Sequence, residues 1–369
     1  MPDFRSDTVT RPTPAMRAAI AAAEVGDDVF ADDPSVNRLQ RLAAGMLGFE
    51  DALFASSGTQ TNLMGLLSHC ERGDEAIVGQ LWHTYRWEAG GMAVLGSIQP
   101  QPLENRPDGT IALDAIEAAI KPDDPHFART RLVGMENTPG GKVLPMDYLR
   151  EVRALTARRG LAAHLDGARL FNAAVEVARR RAAGVRDGDA NGGTGTDPRE
   201  VAREICANFD SVSVCLSKGL GAPVGSLLLG STPFIARARR WRKMLGGGMR
   251  QAGLLAAAGQ HALEHHVDRM AEDHDNARVL AAGLAEIGGR HDGALQADPP
   301  QTNIVFVRVA DAIAVPFAEH LLAHGVRTTG STGRYGQGLV QRWVTHLDVG
   351  RADVERALEV AAAFFAARR

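Results

Sequence analysis

Short, strongly apolar runs alternate with amphipathic stretches through most of the chain, and that alternation limits what it can fold into. DALFASS (51–57), DEAIVG (74–79), RTRLVGMEN (129–137), LAAHLD (161–166), DSVSVCLS (210–217) and GSLLLG (225–230) each read as a strand, and 96–100 as a further short one. Around them the spacing predicts helices over 35–47, 58–70, 83–94, 113–120 and 146–159, and an Ala/Arg-rich helix after Asp166. Mostly apolar strands that alternate with helices imply an α/β fold, with a large, mostly parallel or mixed sheet covered on both faces.

The two ends read differently. Residues 1–34 are polar and rich in turn formers, around one short helix over 16–24. The long helical stretch 248–284 reads as a connector. It precedes the strand NIVFVRV, a helix over 315–324, the strand LVQRWVTH and a final amphipathic helix over 351–368, a compact α+β unit. The expected division is therefore 1–255, a large domain with an N-terminal arm, and 256–369, a connector and a small C-terminal domain. GVRDGDANGGTGTD (184–197) reads as a flexible surface loop.

Composition narrows the function classes. With 45% hydrophobic and 23% charged residues among 369, the chain has material for a sizeable core and is not a disordered one. A net charge of −3 gives no basic field to attract nucleic acid. No run approaches the ~18 apolar residues of a membrane span, and MPDFRSDTVTRP lacks the apolar segment of a secretory signal. Cys70, Cys206 and Cys215 are scattered, with no CxxC pair, so neither a disulfide scaffold nor a metal site is expected and a reducing cytoplasm fits.

The lysines point to chemistry. Lys121, Lys142, Lys218 and Lys243 are the only ones in a chain whose other basic residues are arginines. Lys121 and Lys142 lie in turns, and Lys243 in a basic run. Lys218 ends the apolar run SVSVCLSK and is followed by GLGAPVGS. Open α/β sheets place ligands at the carboxyl ends of strands, and burial lowers an amine's pKa enough to make it a nucleophile toward a carbonyl. The plainer alternative is a lysine whose head reaches out to solvent. Asp166 ends the strand LAAHLD, where a carboxylate suits the ring nitrogen of pyridoxal phosphate, or simply caps a helix. SSGTQTN sits between a strand and a helix. It offers Gly58, Thr59 and free N–H groups for a phosphate, as an ordinary capped turn also would. His83 is a candidate for stacking on a pyridine ring or for acting as a base. Arg169 and Arg342 are candidate carboxylate partners, because the guanidinium fork binds bidentately. Either could equally form a surface ion pair.

Phosphate turn, histidine, aspartate and lysine, each at a strand-to-loop junction and in that order, match an aspartate-aminotransferase-type fold. The motifs DFRSDTVTRPTPAMR, EVGDDVFADDP, SSGTQTN, ENT with GGKVLP, HLDGARLFNA, SVSVCLSKGLGAPVGS, KMLGGGMRQAG and RWVTHLDV run nearly end to end. In these the chain resembles the L-threonine aldolases, of the β-eliminating lyase group of pyridoxal-phosphate enzymes. The resemblance implies fold type I of those enzymes and pyridoxal 5'-phosphate as cofactor. It implies Lys218 as the Schiff-base lysine, Asp166 on the ring nitrogen, Arg169 supporting the cofactor, His83 stacking on the ring, and Gly58 and Thr59 on the phosphate. Ser6, Arg342, Arg169 and Arg250 are implied on the substrate side. It implies a cytoplasmic homotetramer that cleaves a β-hydroxy-α-amino acid to glycine and an aldehyde. The alternative is a related lyase, racemase or transaldolase for a larger β-substituted amino acid. Two positions depart from the family pattern. Pro139 and Gly140 replace a usual His-Asn pair whose histidine reads the substrate hydroxyl, and Phe30 replaces a frequent Tyr. STGRYGQG (331–338), before Arg342, is expected to reshape substrate entry.

Overall fold

A computed structural model describes residues 1–185, 193–330 and 340–368. Within it the chain forms two compact units, Pro12–Val267 and Met1–Arg11 with Asp268–Arg369. Part of the expected 184–197 loop and all of STGRYGQG lie outside the described residues.

The larger unit is built on seven strands: β1 (Asp51–Ala55), β2 (Glu75–Gly79), β3 (Gln99–Leu103), β4 (Thr130–Glu136), β5 (Ala162–Asp166), β6 (Ser211–Cys215) and β7 (Ser226–Gly230). Their order is β1-β7-β6-β5-β4-β2-β3. Neighbours from β6 to β3 are parallel, and β7 is antiparallel to both β6 and β1. The other six strands therefore share one direction, and their carboxyl ends share one edge. The continuous apolar runs become strands buried along their whole length, as in β2, β6 and β7. β3 carries Pro100 and Pro102 and stands at the sheet's end, where a missing N–H costs least.

The helix Gly58–His69 starts from Ser57, whose Oγ accepts the Gln60 N–H at 3.2 Å. It is buried from Thr61 to Ser68, between the sheet and the helix Thr232–Met244. Gly65 lies inside it, at a cost of about 1 kcal/mol against alanine. A Cβ there would stand 2.7 Å from Cε1 of His164 on β5, so the imidazole occupies the space.

Two expected helices are broken. The 83–94 stretch forms His83–Arg86 and Gly91–Val94, because Ala89 (φ 53°) and Gly90 (φ 71°) adopt left-handed backbone between them. The 248–284 stretch forms Gly253–His265 and Met270–Gly289. The compact units divide in that gap, at Val267/Asp268 rather than near 255.

The smaller unit pairs β8 (Leu295–Ala297), β9 (Ile304–Val309) and β10 (Val340–Val344) in the antiparallel order β10-β9-β8. The helices Met270–Gly289, Ala314–Ala323 and Arg351–Ala366 complete it. The first eleven residues, expected with the large domain, belong here. Phe4 is the reason. It is fully buried in this unit's core, 5.6 Å from the Trp343 ring, and its backbone bonds to Arg327 and Val344 (both 2.8 Å).

Candidate active site

The carboxyl edge of the large sheet gathers ionisable groups. β6, β5, β4 and β2 are parallel neighbours, so the residues that end or follow them lie in succession along it. β5 ends at Asp166 and β4 at Glu136, partners in register. β6 runs on to Lys218, and β2 to His83.

Asp166 is 2% exposed. Its Oδ1 accepts the Ala168 N–H at 3.0 Å, and its Oδ2 accepts Asn62 Nδ2 at 2.9 Å. The same Asn62 nitrogen donates to Glu88 Oε1 at 2.8 Å, and that oxygen lies 2.9 Å from His83 Nδ1. The helix break at Ala89–Gly90 follows directly on Glu88. Glu136 Oε2 accepts the His83 backbone N–H at 2.6 Å. Ligand atoms of His83, Glu88 and Asp166 all lie within 4.8 Å of one another.

Burial opposes charge on His83, Glu88 and Glu136, and the neighbours outweigh it only at His83. For His83, burial is outweighed by the hydrogen bond to Glu88 and the charges of Asp166 and Glu88, so its pKa is raised. Glu88 is raised by burial, with the Asp166 charge acting the same way. Glu136 is pushed up to about 7 by burial and by Asp166. An ionised Glu88 has only lone pairs to offer, so His83 Nδ1 carries the proton and Nε2 of the neutral ring is the open acceptor.

The other expected residues fall as follows. Gly58 and Thr59 open their helix, where the first N–H groups have no intrahelical acceptor. Beside them, 3.6 Å from where a Gly58 Cβ would stand, is Ser226 Oγ, buried and without a hydrogen-bond partner among the described residues. Lys218 is partly buried, and its carbonyl accepts the Gly221 N–H at 2.8 Å. Its charge acts on both His83 and Glu136. Arg169 precedes the helix Leu170–Ala182, and its carbonyl accepts the Ala173 N–H at 3.1 Å. Arg250 pairs with Asp27 at 3.1 Å and is 59% exposed. Phe30 is 73% exposed. Pro139 begins a 3-10 turn, with its ring against Gly109. Ser6 and Arg342 belong to the smaller unit, where Arg342 Nη2 donates to the Arg5 carbonyl at 3.5 Å, beside Ser6.

Sequence reasoning missed Asn62, Glu88, Glu136 and Ser226. Asn62 had a signal, as a polar residue within the apolar TNLMGLL. Glu88 had a weaker one in the paired glycines of EAGG.

The family model of the beta-eliminating lyases matches residues 3–312. The chain is 51% identical to the low specificity L-threonine aldolase of Escherichia coli K12, over 98% of each sequence. It belongs to the L-threonine aldolase family of beta-eliminating lyases. A low-specificity L-threonine aldolase of Arabidopsis thaliana is 43% identical over 84% of this chain and 81% of its own. Among solved structures, the Leishmania major threonine aldolase superposes with a TM-score of 0.78, at 22% identity and 99% coverage of both chains. The Sphingomonas wittichii serine palmitoyltransferase gives 0.74, at 18% identity, over 99% of this chain and 87% of its own. These likenesses show the expected fold type I of pyridoxal-phosphate enzymes. Among the described residues, no helix is long and apolar enough to cross a membrane.

Proposed function

We propose that the chain cleaves an L-β-hydroxy-α-amino acid, threonine-like, to glycine and an aldehyde, with pyridoxal 5'-phosphate bound at the carboxyl edge of the large sheet. The observation that carries this reading is the buried Asp166 carboxylate, held by two N–H donors beside an imidazole whose free nitrogen is Nε2.

The residues present fit the cofactor. Ser226 Oγ is a buried hydroxyl in want of a partner, next to the Gly58–Thr59 helix start, and together they suit a phosphate. Asp166 would hold the pyridine nitrogen protonated, Lys218 Nζ would anchor the carbonyl carbon, and Arg169 would support the ring from the turn after Asp166. When bound, pyridoxal phosphate supplies a ring that accepts the electron pair released as the Cα–Cβ bond breaks.

The chain's own groups do the rest. His83, fixed by Glu88 through Nδ1, takes the β-hydroxyl proton at Nε2. Ser6 and Arg342 bind the substrate carboxylate, with Arg250 as a further substrate-side cation. Three buried free cysteines suit a reducing cytoplasm, and a homotetramer built as a dimer of dimers completes the reading.

A panel of β-hydroxy-α-amino acids, both diastereomers, assayed for products tests it. Free glycine and aldehyde are expected, and ammonia with a keto acid would replace cleavage by elimination. Borohydride should fix the cofactor on Lys218, and label on Lys121, Lys142 or Lys243 would overturn the assignment.

A further inference from the structure

Behind Asp166 a line of side chains continues into the protein. His164 is fully buried on β5. Its Nε2 lies 3.4 Å from Asn62 Oδ1, and its Nδ1 lies 2.8 Å from Ser211 Oγ on β6. The Ser211 hydroxyl in turn lies 2.7 Å from His69 Nε2. His69 lines a cavity of about 810 Å³ bounded by Arg237 and Trp241.

The chemistry of each atom sets the direction of every bond. Asn62 Nδ2 faces two carboxylates, so the amide cannot be turned round without setting oxygen against oxygen. Its Oδ1 therefore faces His164 and needs a donor, which makes His164 the Nε2–H tautomer. His164 Nδ1 then accepts the Ser211 proton, and Ser211 Oγ accepts from His69 Nε2–H. Burial holds both imidazoles neutral, His164 at about 3 and His69 at about 4, so neither has a second proton to contradict this. The one orientation that satisfies the set points every donor toward Asn62, whose amide passes the line on to Asp166 and Glu88. The glycine at position 65, inside a helix, is what admits the His164 ring.

We infer that Asn62, His164 and Ser211 form a one-way hydrogen-bond relay that aims the Asp166 carboxylate, so that they are positioning residues for the cofactor nitrogen. The inference rests on the proposed cofactor site but is not part of it. The other groups whose charges meet that of Asp166 are Glu88 and His83 from the broken helix and Glu136 from β4, while Lys218 after β6 acts on His83 and Glu136. Glu88 shares the Asn62 amide with Asp166, whereas His83 and Glu136 are not hydrogen-bonded to Asn62, His164 or Ser211.

Two measurements test this. In the cofactor-free protein, nitrogen NMR should show His164 as a neutral Nε2–H imidazole from pH 6 to 9; the other tautomer, or titration in that range, overturns the relay. In the loaded protein, pyridoxal phosphate affinity is read in a double-mutant cycle. His164→Leu should weaken it about tenfold, or about 1.4 kcal/mol. His164→Gln, which keeps a donor toward Asn62, should restore most of it. In an Asp166→Asn background the His164→Leu loss should vanish, whereas a merely structural role leaves it additive and overturns the inference. Ser211→Ala, a smaller change, should show the same dependence on Asp166 if the leucine variant does not fold. A wild type that does not bind pyridoxal phosphate would sink the proposed function, while the NMR measurement would still decide the relay.

Discussion

The sheet edge and the Ser6–Arg342 corner handle polar groups in opposite ways. At the edge, Asp166, Asn62, Glu88 and His83 bond to one another and are largely buried. At the corner, side chains bond to backbone or to a side chain two residues away, and stay partly exposed. Ser6 Oγ accepts the Thr8 N–H at 3.2 Å, Arg342 reaches the Arg5 carbonyl, and Arg5 pairs with Asp3 at 44% side-chain exposure. Buried polar networks magnify any change of charge, because the low local dielectric leaves nothing to absorb it. An exposed corner is screened and depends on the shape of its donors. The edge should therefore fail when charge changes, and the corner when geometry changes.

The sharpest test of the contrast is Asp166→Asn, which keeps shape and removes charge. We expect cofactor to be retained and kcat to fall about a thousandfold, on the scale of losing a preorganised electrostatic group. Near-normal turnover would end the distinction. Arg342→Lys does the reverse, keeping charge and changing shape. It should raise KM about thirtyfold, the loss of one arm of a bidentate pair, with kcat nearly unchanged. An unaltered KM would move carboxylate binding to Arg169 or Arg250.

Glu88→Gln asks whether the edge also sets a pH limit. As the proposed base, His83 must be neutral, and its pKa is raised, so cleavage should rise as pH climbs through that value. Removing the Glu88 charge lowers the pKa, so the acidic limb should move to lower pH, while the plateau rate falls about tenfold. A limb that stays in place would assign it to Glu136, whose pKa burial pushes up to about 7. The smallest effect is expected at Pro139. The turn Pro139–Gly141 offers no side-chain donor, and a site without one discriminates weakly among hydroxyl orientations. Pro139→His should sharpen the preference between diastereomers severalfold; a wild type already strict across several β-substituents would contradict this.

What the sequence made legible follows the same division. Asp166 and Lys218 could be read because each ends a continuous apolar run, and a strand end is a place with known chemistry. Glu88 could not, because a helical period continued through it and only the left-handed turn at Ala89 and Gly90 breaks that helix. The gap at 266–269 carries neither Gly nor Pro, so nothing local marked where the units divide. Phe4 looked like part of a polar arm. Its place in the smaller core depends on partners more than three hundred positions away, which no local pattern records.

The crowding of Glu88, Glu136 and Asp166 around one imidazole and one ammonium has a consequence for traffic. An amino acid in solution is a zwitterion with a positive and a negative pole. The pull on the positive pole depends on how many of the three acids are ionised, and burial holds Glu88 and Glu136 toward their neutral forms, Glu136 up to about 7. The edge should therefore draw an ammonium group more strongly as pH rises through neutrality, and added salt should weaken that draw.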